Sequence, residues 1–193
     1  MKNTAFNSDN NFDALYPEHI RQLSLKHWTS LNVAIKAADF LAAPQVRILD
    51  IGSGAGKFRL AAAYHHSDIL FCGVEQRQEL VHQAKKIQQK TQISNARFTH
   101  ANITEVNFKE FDHFYYYNSF FENIDVQNAI DDTIEISMDL YRYYIQYLFV
   151  ALQQKCAGTK LVTFQSLEQE IPPNYKLVGT AYGKLLKMWI KGS

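Results

Sequence analysis

The sequence predicts an α/β domain: a doubly wound, seven-stranded, mostly parallel sheet with helices on both faces, an antiparallel last strand and an N-terminal helical lead-in. Three observations predict it. Short β-rich runs alternate with helix-compatible stretches after Pro44, a glycine-rich turn joins the first run to an alanine-rich helix former, and a late apolar stretch folds back around Gly183. Parallel strands need crossover segments of about a dozen residues, usually helices, so the alternation itself implies a sheet covered on both sides.

The opening MKNTAFNSDNNFD is polar and Asn-rich, without the apolar core of a signal peptide, and is expected to fray. From Pro17 to Ala43, Ile20, Leu23, Leu31, Ile35, Ala38 and Leu41 keep helical spacing, with a break predicted near His27 to Ser30. VRILDI, ILFCGV, ARFTH, FDHFYYYN and TKLVTF read as strands, and ELVHQAKKIQQK as a helix between them. The region from Asp125 to Lys155 carries Ile130, Ile134, Met138, Tyr141, Ile145, Leu148 and Leu152 at intervals of three and four, enough for two helices. YKLVGTAYGKLLKMWIKG predicts a hairpin. The division expected is 1–43 for the polar start and lead-in, and 44–193 for one α/β domain.

Composition narrows the function. The chain has 193 residues, 47% hydrophobic and 20% charged, which suits one continuous core. Its formal charge is +1, so no global field draws it to nucleic acid or to an acidic membrane, and neither is expected as a partner. YYIQYLFVAL is shorter than the roughly 20 residues of a spanning helix, so no membrane span is expected and the protein is expected in the cytoplasm. Cys72 and Cys156 are expected as buried free thiols. His65 and His66 are adjacent near a helix end, poor geometry for holding one metal, and the other histidines show no ligand spacing, so no metal is expected. Composition does not set the oligomeric state.

VRILDIGSGAGKFRLAAA carries the most information. A strand, a glycine turn and a helix aim backbone N–H groups beyond the strand's carboxyl end. A phosphate-binding P-loop would need four residues between its glycines and a Ser or Thr after the lysine; here Gly52 and Gly56 enclose three, and Phe58 follows Lys57. A dinucleotide fingerprint would place the third glycine one residue later. The acidic Asp50 beside such a turn would repel a phosphate.

LDIGSGAGKF resembles the first motif of the class I S-adenosylmethionine-dependent methyltransferases. The resemblance implies that Asp50 orders the loop and the amino-acid end of the cofactor, while Gly52, Ser53, Gly54 and Gly56 make room for it. Glu75, at the end of ILFCGV, and Gln76 would lie at the ribose, since a carboxylate accepts both ribose hydroxyls. Asn102 and Ile103 would meet the edge and face of the adenine. FDHFYYYNSFFE brings Asn118, Phe121 and Glu122 to the end of the fourth strand, where acceptor chemistry is expected. Asn118 and Phe121 resemble the ends of the Asn-Pro-Pro-Phe motif of amino methyltransferases, with Ser119 and Phe120 at the proline positions, which argues against a nucleobase acceptor. The segment is also similar to the Asn-Asn-Phe stretch of the non-SET histone lysine methyltransferases.

An Asn carbonyl accepts an amine N–H and an aromatic face stabilises a cation, so an amine nitrogen, in a protein lysine or a small molecule, is the expected methyl acceptor. Asn118 also doubles as a cofactor contact in this reading, and Glu122 reads either as a general base or as a first-turn residue complementing a helix dipole. His27, Trp28 and Thr29 stand where a lid could close. Two alternatives stay open: a catalytically inactive cofactor-binding module acting as a partner subunit, and an NAD-dependent oxidoreductase.

Overall fold

The computed structural model describes residues 4–125, 127 and 129–193. Five strands run parallel: β1 (Arg47–Ile51), β2 (Leu70–Glu75), β3 (Ala96–His100), β4 (His113–Tyr116) and β5 (Lys160–Phe164). The hairpin follows as β6 (Tyr175–Ala181) and β7 (Leu186–Lys191), and the spatial order is β3-β2-β1-β4-β5-β7-β6. β7 is antiparallel to both neighbours, so it is the single reversed strand. The turn between β6 and β7 has left-handed backbone at Tyr182, Gly183 and Lys184.

Strand alternation divides the core in two. Ile48, Phe71, Tyr115 and Val162 point to one face, where α4 (Leu31–Leu41), α5 (Lys57–His65) and α6 (Gln78–Thr91) cover them. Leu49, Ile51, Val74, Phe114, Tyr116, Leu161 and Trp189 point to the other, under α7 (Met138–Gln153). A period of two along each strand makes this division automatic.

Three short helices, α1 (Asp9–Asp13), α2 (Glu18–Arg21) and α3 (Ser24–His27), precede α4, and the break falls at Trp28 to Ser30. The expectation of fraying is corrected within the described residues. Ser8 caps α1 by accepting the Asn11 N–H, Phe12 is fully buried, and Phe6 stacks on Tyr64 at 4.0 Å. Apolar anchors two turns apart outweigh a polar composition.

Among the described residues, α7 is the one α-helix in the region expected to be helical from 125 to 155; Val126 and Asn128 lie outside the described residues. Asp131 Oδ1 accepts both the N–H and the hydroxyl of Thr133, a local turn that competes with the helical ladder. The helix starts only at Ser137, whose hydroxyl accepts the Leu140 N–H. Cys72 is buried as expected, but Cys156 is exposed because it follows the end of α7.

Candidate active site and cofactor cavity

A cavity of about 490 Å³ opens at the carboxyl ends of β1, β2 and β4. Its walls come from Gly52 and Gly54, from Val74 to Arg77, from Ala101 to Ile103, from Tyr117 to Glu122, and from Leu23 to Trp28 of the lead-in. The described residues thus bring most of the expected site together.

The three loop glycines all adopt left-handed backbone, but for different neighbours. A Cβ on Gly52 would lie 2.3 Å from the Ser119 Cβ, and one on Gly56 would lie 2.5 Å from the Phe98 ring. Only Gly54 faces open space. Gly56 therefore seats α5 against β3 rather than forming a wall of the large cavity, and Ser53 points back to Arg59, whose Nη2 donates to its hydroxyl at 3.2 Å. Ser119 closes the loop from the β4 side by donating its hydroxyl to the Ile51 carbonyl.

Arg59 fixes the loop from beneath. It is completely buried, donates to the Arg97 carbonyl at 2.8 Å and lies 3.5 Å over the Phe98 ring. Gly73 of β2 exists to admit it, since a Cβ there would lie 1.7 Å from the guanidinium. Burial pushes the Arg59 pKa down to about 10.

Asp50 is buried level with Gly73 and Tyr115, beside a second recess of about 40 Å³ formed by the glycine loop, Trp28 and Thr29. Burial pushes its carboxyl up to about 7, against the opposing pull of Arg59 and with a further push from Glu75. Glu75 is also buried, which raises its pKa. Its two oxygens accept the Arg77 N–H at 2.8 Å and the Gly54 N–H at 3.0 Å. Each carboxylate oxygen keeps a second lone pair.

Ile103 is buried on the cavity wall with Val74, Leu80 and Ala101. Asn102 is a helix-turn cap: its Oδ1 accepts from Thr104, and its Nδ2 donates to Tyr144 at 2.9 Å and to the Gln76 side chain at 3.3 Å. Its side-chain amide is engaged within the protein, and its backbone N–H donates to the Glu105 carboxylate at 2.7 Å.

Asn118 lines the cavity at φ +41°, its N–H on the Ser166 hydroxyl at 3.3 Å and its carbonyl accepting the Phe121 N–H at 3.0 Å. Phe121 lies beside it, partly exposed. The reading of Glu122 as a general base is corrected. Both its oxygens accept from Arg77, at 2.9 and 2.7 Å, and the Arg77 Nε also reaches Asp131 at 3.0 Å. With both oxygens committed to a buried guanidinium, Glu122 serves as the anchor that holds Arg77 in the cavity wall.

Lys57 and Arg77 were not singled out as site residues by the sequence. Lys57 is buried between Asp9 and Asp13, at 2.6 Å from each, and lies near the Phe12 and Trp28 rings. The Tyr16 hydroxyl donates to the Ala55 carbonyl at 2.8 Å, and the Thr29 and Tyr115 hydroxyls are 2.7 Å apart. These bonds seat the lead-in on the glycine loop. The available signal was the pair of aspartates four residues apart, on one helix face. A third residue that the sequence did not link to the adjacent histidines meets them here: the Nε2 atoms of His65 and His66 both approach Asp39 Oδ1, at 3.4 and 2.9 Å.

A carboxylate at the second strand's end, an apolar slot beside it, a glycine loop open at one residue and an acidic group behind that loop fit a nucleoside with a cationic amino-acid tail and no phosphate. This is the fold and the site of a class I S-adenosylmethionine-dependent methyltransferase. A family model described as a methyltransferase domain matches residues 42–143, more than half of the chain, and the protein belongs to that family. Its cofactor is S-adenosylmethionine.

The fold is shared with an RNA methyltransferase from Salinibacter ruber in complex with S-adenosylhomocysteine (TM-score 0.56, 18% identity, 84% of this chain and 90% of that one). It is shared also with TrmN from Thermus thermophilus (TM-score 0.58, 17% identity, 89% of this chain and 51% of that one). A tRNA (guanine-N(7)-)-methyltransferase from Synechococcus sp. (strain JA-3-3Ab) is 46% identical over 55 residues, which is 28% of this chain and 23% of that relative. The chain thus matches less than a quarter of the curated relative's length. Among the described residues, no helix is long and apolar enough to cross a membrane.

Proposed function

We propose that the protein transfers the methyl group of S-adenosylmethionine to an amine nitrogen, in a protein lysine or a small molecule, with residues 44–193 as the catalytic domain and Leu23 to Trp28 of the lead-in closing one wall of its cavity. Asn118 carries this reading: a left-handed residue at the end of β4, on the cavity wall beside Gly52, with Tyr117, Phe121 and Trp28 lining the same space.

When bound, the cofactor supplies an electrophilic methyl on its sulfonium. Glu75 accepts the ribose hydroxyls, Val74, Leu80, Ala101 and Ile103 enclose the adenine with Gln76 at its rim, and Asp50 with Gly52 and Gly54 receives the amino-acid end. Ser53 and Gly56 hold the loop's shape from behind. The Asn118 side-chain oxygen, Oδ1, accepts an N–H of the acceptor and turns the nitrogen lone pair toward the methyl. The cofactor would supply the methyl and keep the electrons of its former C–S bond on sulfur, leaving the protein only to align the acceptor nitrogen and receive its proton. His27, on the cavity wall, takes the proton that the methylated nitrogen releases. Alignment accounts for most of the rate, and Phe121, Tyr117 and Trp28 exclude water.

A second reading places the nitrogen in an RNA base. It is favoured by the stretch shared with the Synechococcus enzyme, and it revises the expectation that nucleic acid is no partner. Incubation with methyl-labelled S-adenosylmethionine and a cell lysate, followed by separation of protein, RNA and small molecules, distinguishes the two. Label on nitrogen in protein or in a small molecule supports the first reading, and label in RNA the second. Label on oxygen or carbon refutes both. Tight cofactor binding with no transfer to any fraction leaves the inactive binding module.

A further inference from the structure

The ends of α4 and α5 lie side by side, away from the cofactor cavity, and gather three ligand-type atoms. Asp39 is in the last turn of α4, His65 ends α5, and His66 follows as its cap, donating its N–H to the Ala62 carbonyl at 2.9 Å. The two imidazole Nε2 atoms approach one carboxylate oxygen, and all three atoms lie within 4.8 Å of one another. The rings are 4.9 Å apart and nearly perpendicular, so neither blocks the other's nitrogen.

We propose that Asp39, His65 and His66 form a binding site for one divalent transition-metal ion of the imidazole-seeking kind, with water completing the coordination.

Spacing is the first support. Bonds of about 2.0 to 2.1 Å in a tetrahedral array put neighbouring ligand atoms about 3.3 Å apart. The Nε2 to Oδ1 separations of 2.9 and 3.4 Å bracket that value, so a small outward movement of His66 admits an ion. Donor type is the second: two nitrogens and one oxygen suit zinc, nickel or copper, whereas magnesium and calcium prefer all-oxygen shells. The local field is the third. α4 and α5 both finish here, and the negative ends of their dipoles favour a cation. The site is also accessible, since Asp39 and His65 are about half exposed.

The ion would tie α4 to α5 at the end of α5 opposite the glycine loop, a separation of about 13 Å along a nine-residue helix. None of the three residues lines the cofactor cavity, so metal binding should stabilise the fold without altering cofactor affinity.

Calorimetric titration of the chelator-treated full chain with zinc chloride tests the site. The expected result is saturable binding of one zinc per chain, weakened at least about tenfold in each of Asp39→Asn, His65→Gln and His66→Gln, with a zinc-dependent rise in melting temperature that those variants lose. Magnesium chloride should give no binding. His65→Gln removes a half-exposed side chain, so it reports on the site even if His66→Gln folds poorly. Absence of saturable zinc binding, or binding unchanged by the three substitutions, overturns the proposal and leaves ordinary histidine–carboxylate ion pairs. Affinity for S-adenosylhomocysteine should be the same with and without zinc, and a zinc-dependent change would place the ion at the cofactor site instead.

Discussion

Acidification should weaken cofactor binding through Asp50, whose buried carboxyl titrates at about 7. Receiving the cofactor's ammonium requires the carboxylate, so the protonated fraction of the free protein cannot bind productively. With one linked proton, affinity for S-adenosylhomocysteine should fall about 25-fold between about pH 7.5 and about pH 5.5. Stability of the free protein should respond in the opposite sense. A carboxyl whose folded pKa lies above its unfolded value stabilises the fold when protonated, and that contribution is lost as pH rises through about 7. Calorimetry across this range measures the first quantity and urea unfolding the second. Asp50→Asn should bind more weakly at pH 7.5 and lose most of the pH dependence; a slope that survives in this variant belongs to Glu75, whose pKa is raised as well. Wild-type affinity that is flat from pH 5.5 to 7.5, with the fold intact, would refute the reasoning.

Glu75→Ala removes the acceptor of two ribose hydroxyls and should weaken S-adenosylhomocysteine binding at least about tenfold, at about 1.5 to 3 kcal/mol for each charge-assisted bond; equal affinity with an unchanged melting temperature would remove Glu75 from the ribose. Asn118→Ala should bind cofactor within several-fold of the parent yet transfer methyl at least about a hundredfold more slowly in single turnover, and near-normal transfer would end its orienting role. Arg77→Met leaves the carboxylate of Glu122 buried without its partner and should cost about 3 to 5 kcal/mol in urea unfolding, whereas Arg77→Met with Glu122→Leu should recover most of the loss. A double variant as unstable as the single one would show that the pair's charge is not what the fold requires.

Legibility in the sequence followed chain distance. LDIGSGAGKF, GVE and the Gly183 hairpin announce themselves because turn chemistry and strand ends are local. Residues 129–137 misled because Ile130 and Ile134 keep helical spacing, while the Asp131 side chain accepts a competing bond from the Thr133 N–H and Arg77 holds it from 54 residues away. Lys57 with Asp13, 44 residues apart, and Arg77 with Glu122, 45 apart, are meetings that only the folded sheet arranges. Gly52 and Gly56 were legible as special backbone but not as seats for Ser119 and Phe98, since nothing local names the intruding side chain.

The insertion of β7 between β5 and β6 orders events during synthesis. When the ribosome has delivered residues 1–185, every parallel strand and every helix is available, yet the outer edge of β5 has no neighbour and β6 has nothing to pair with. Arrival of Leu186–Lys191 completes both ladders at once and brings Trp189 over the core, its indole N–H reaching Thr163 of β5 at 3.1 Å. Until that moment the nascent chain exposes a bare strand edge, a ready template for pairing with another molecule.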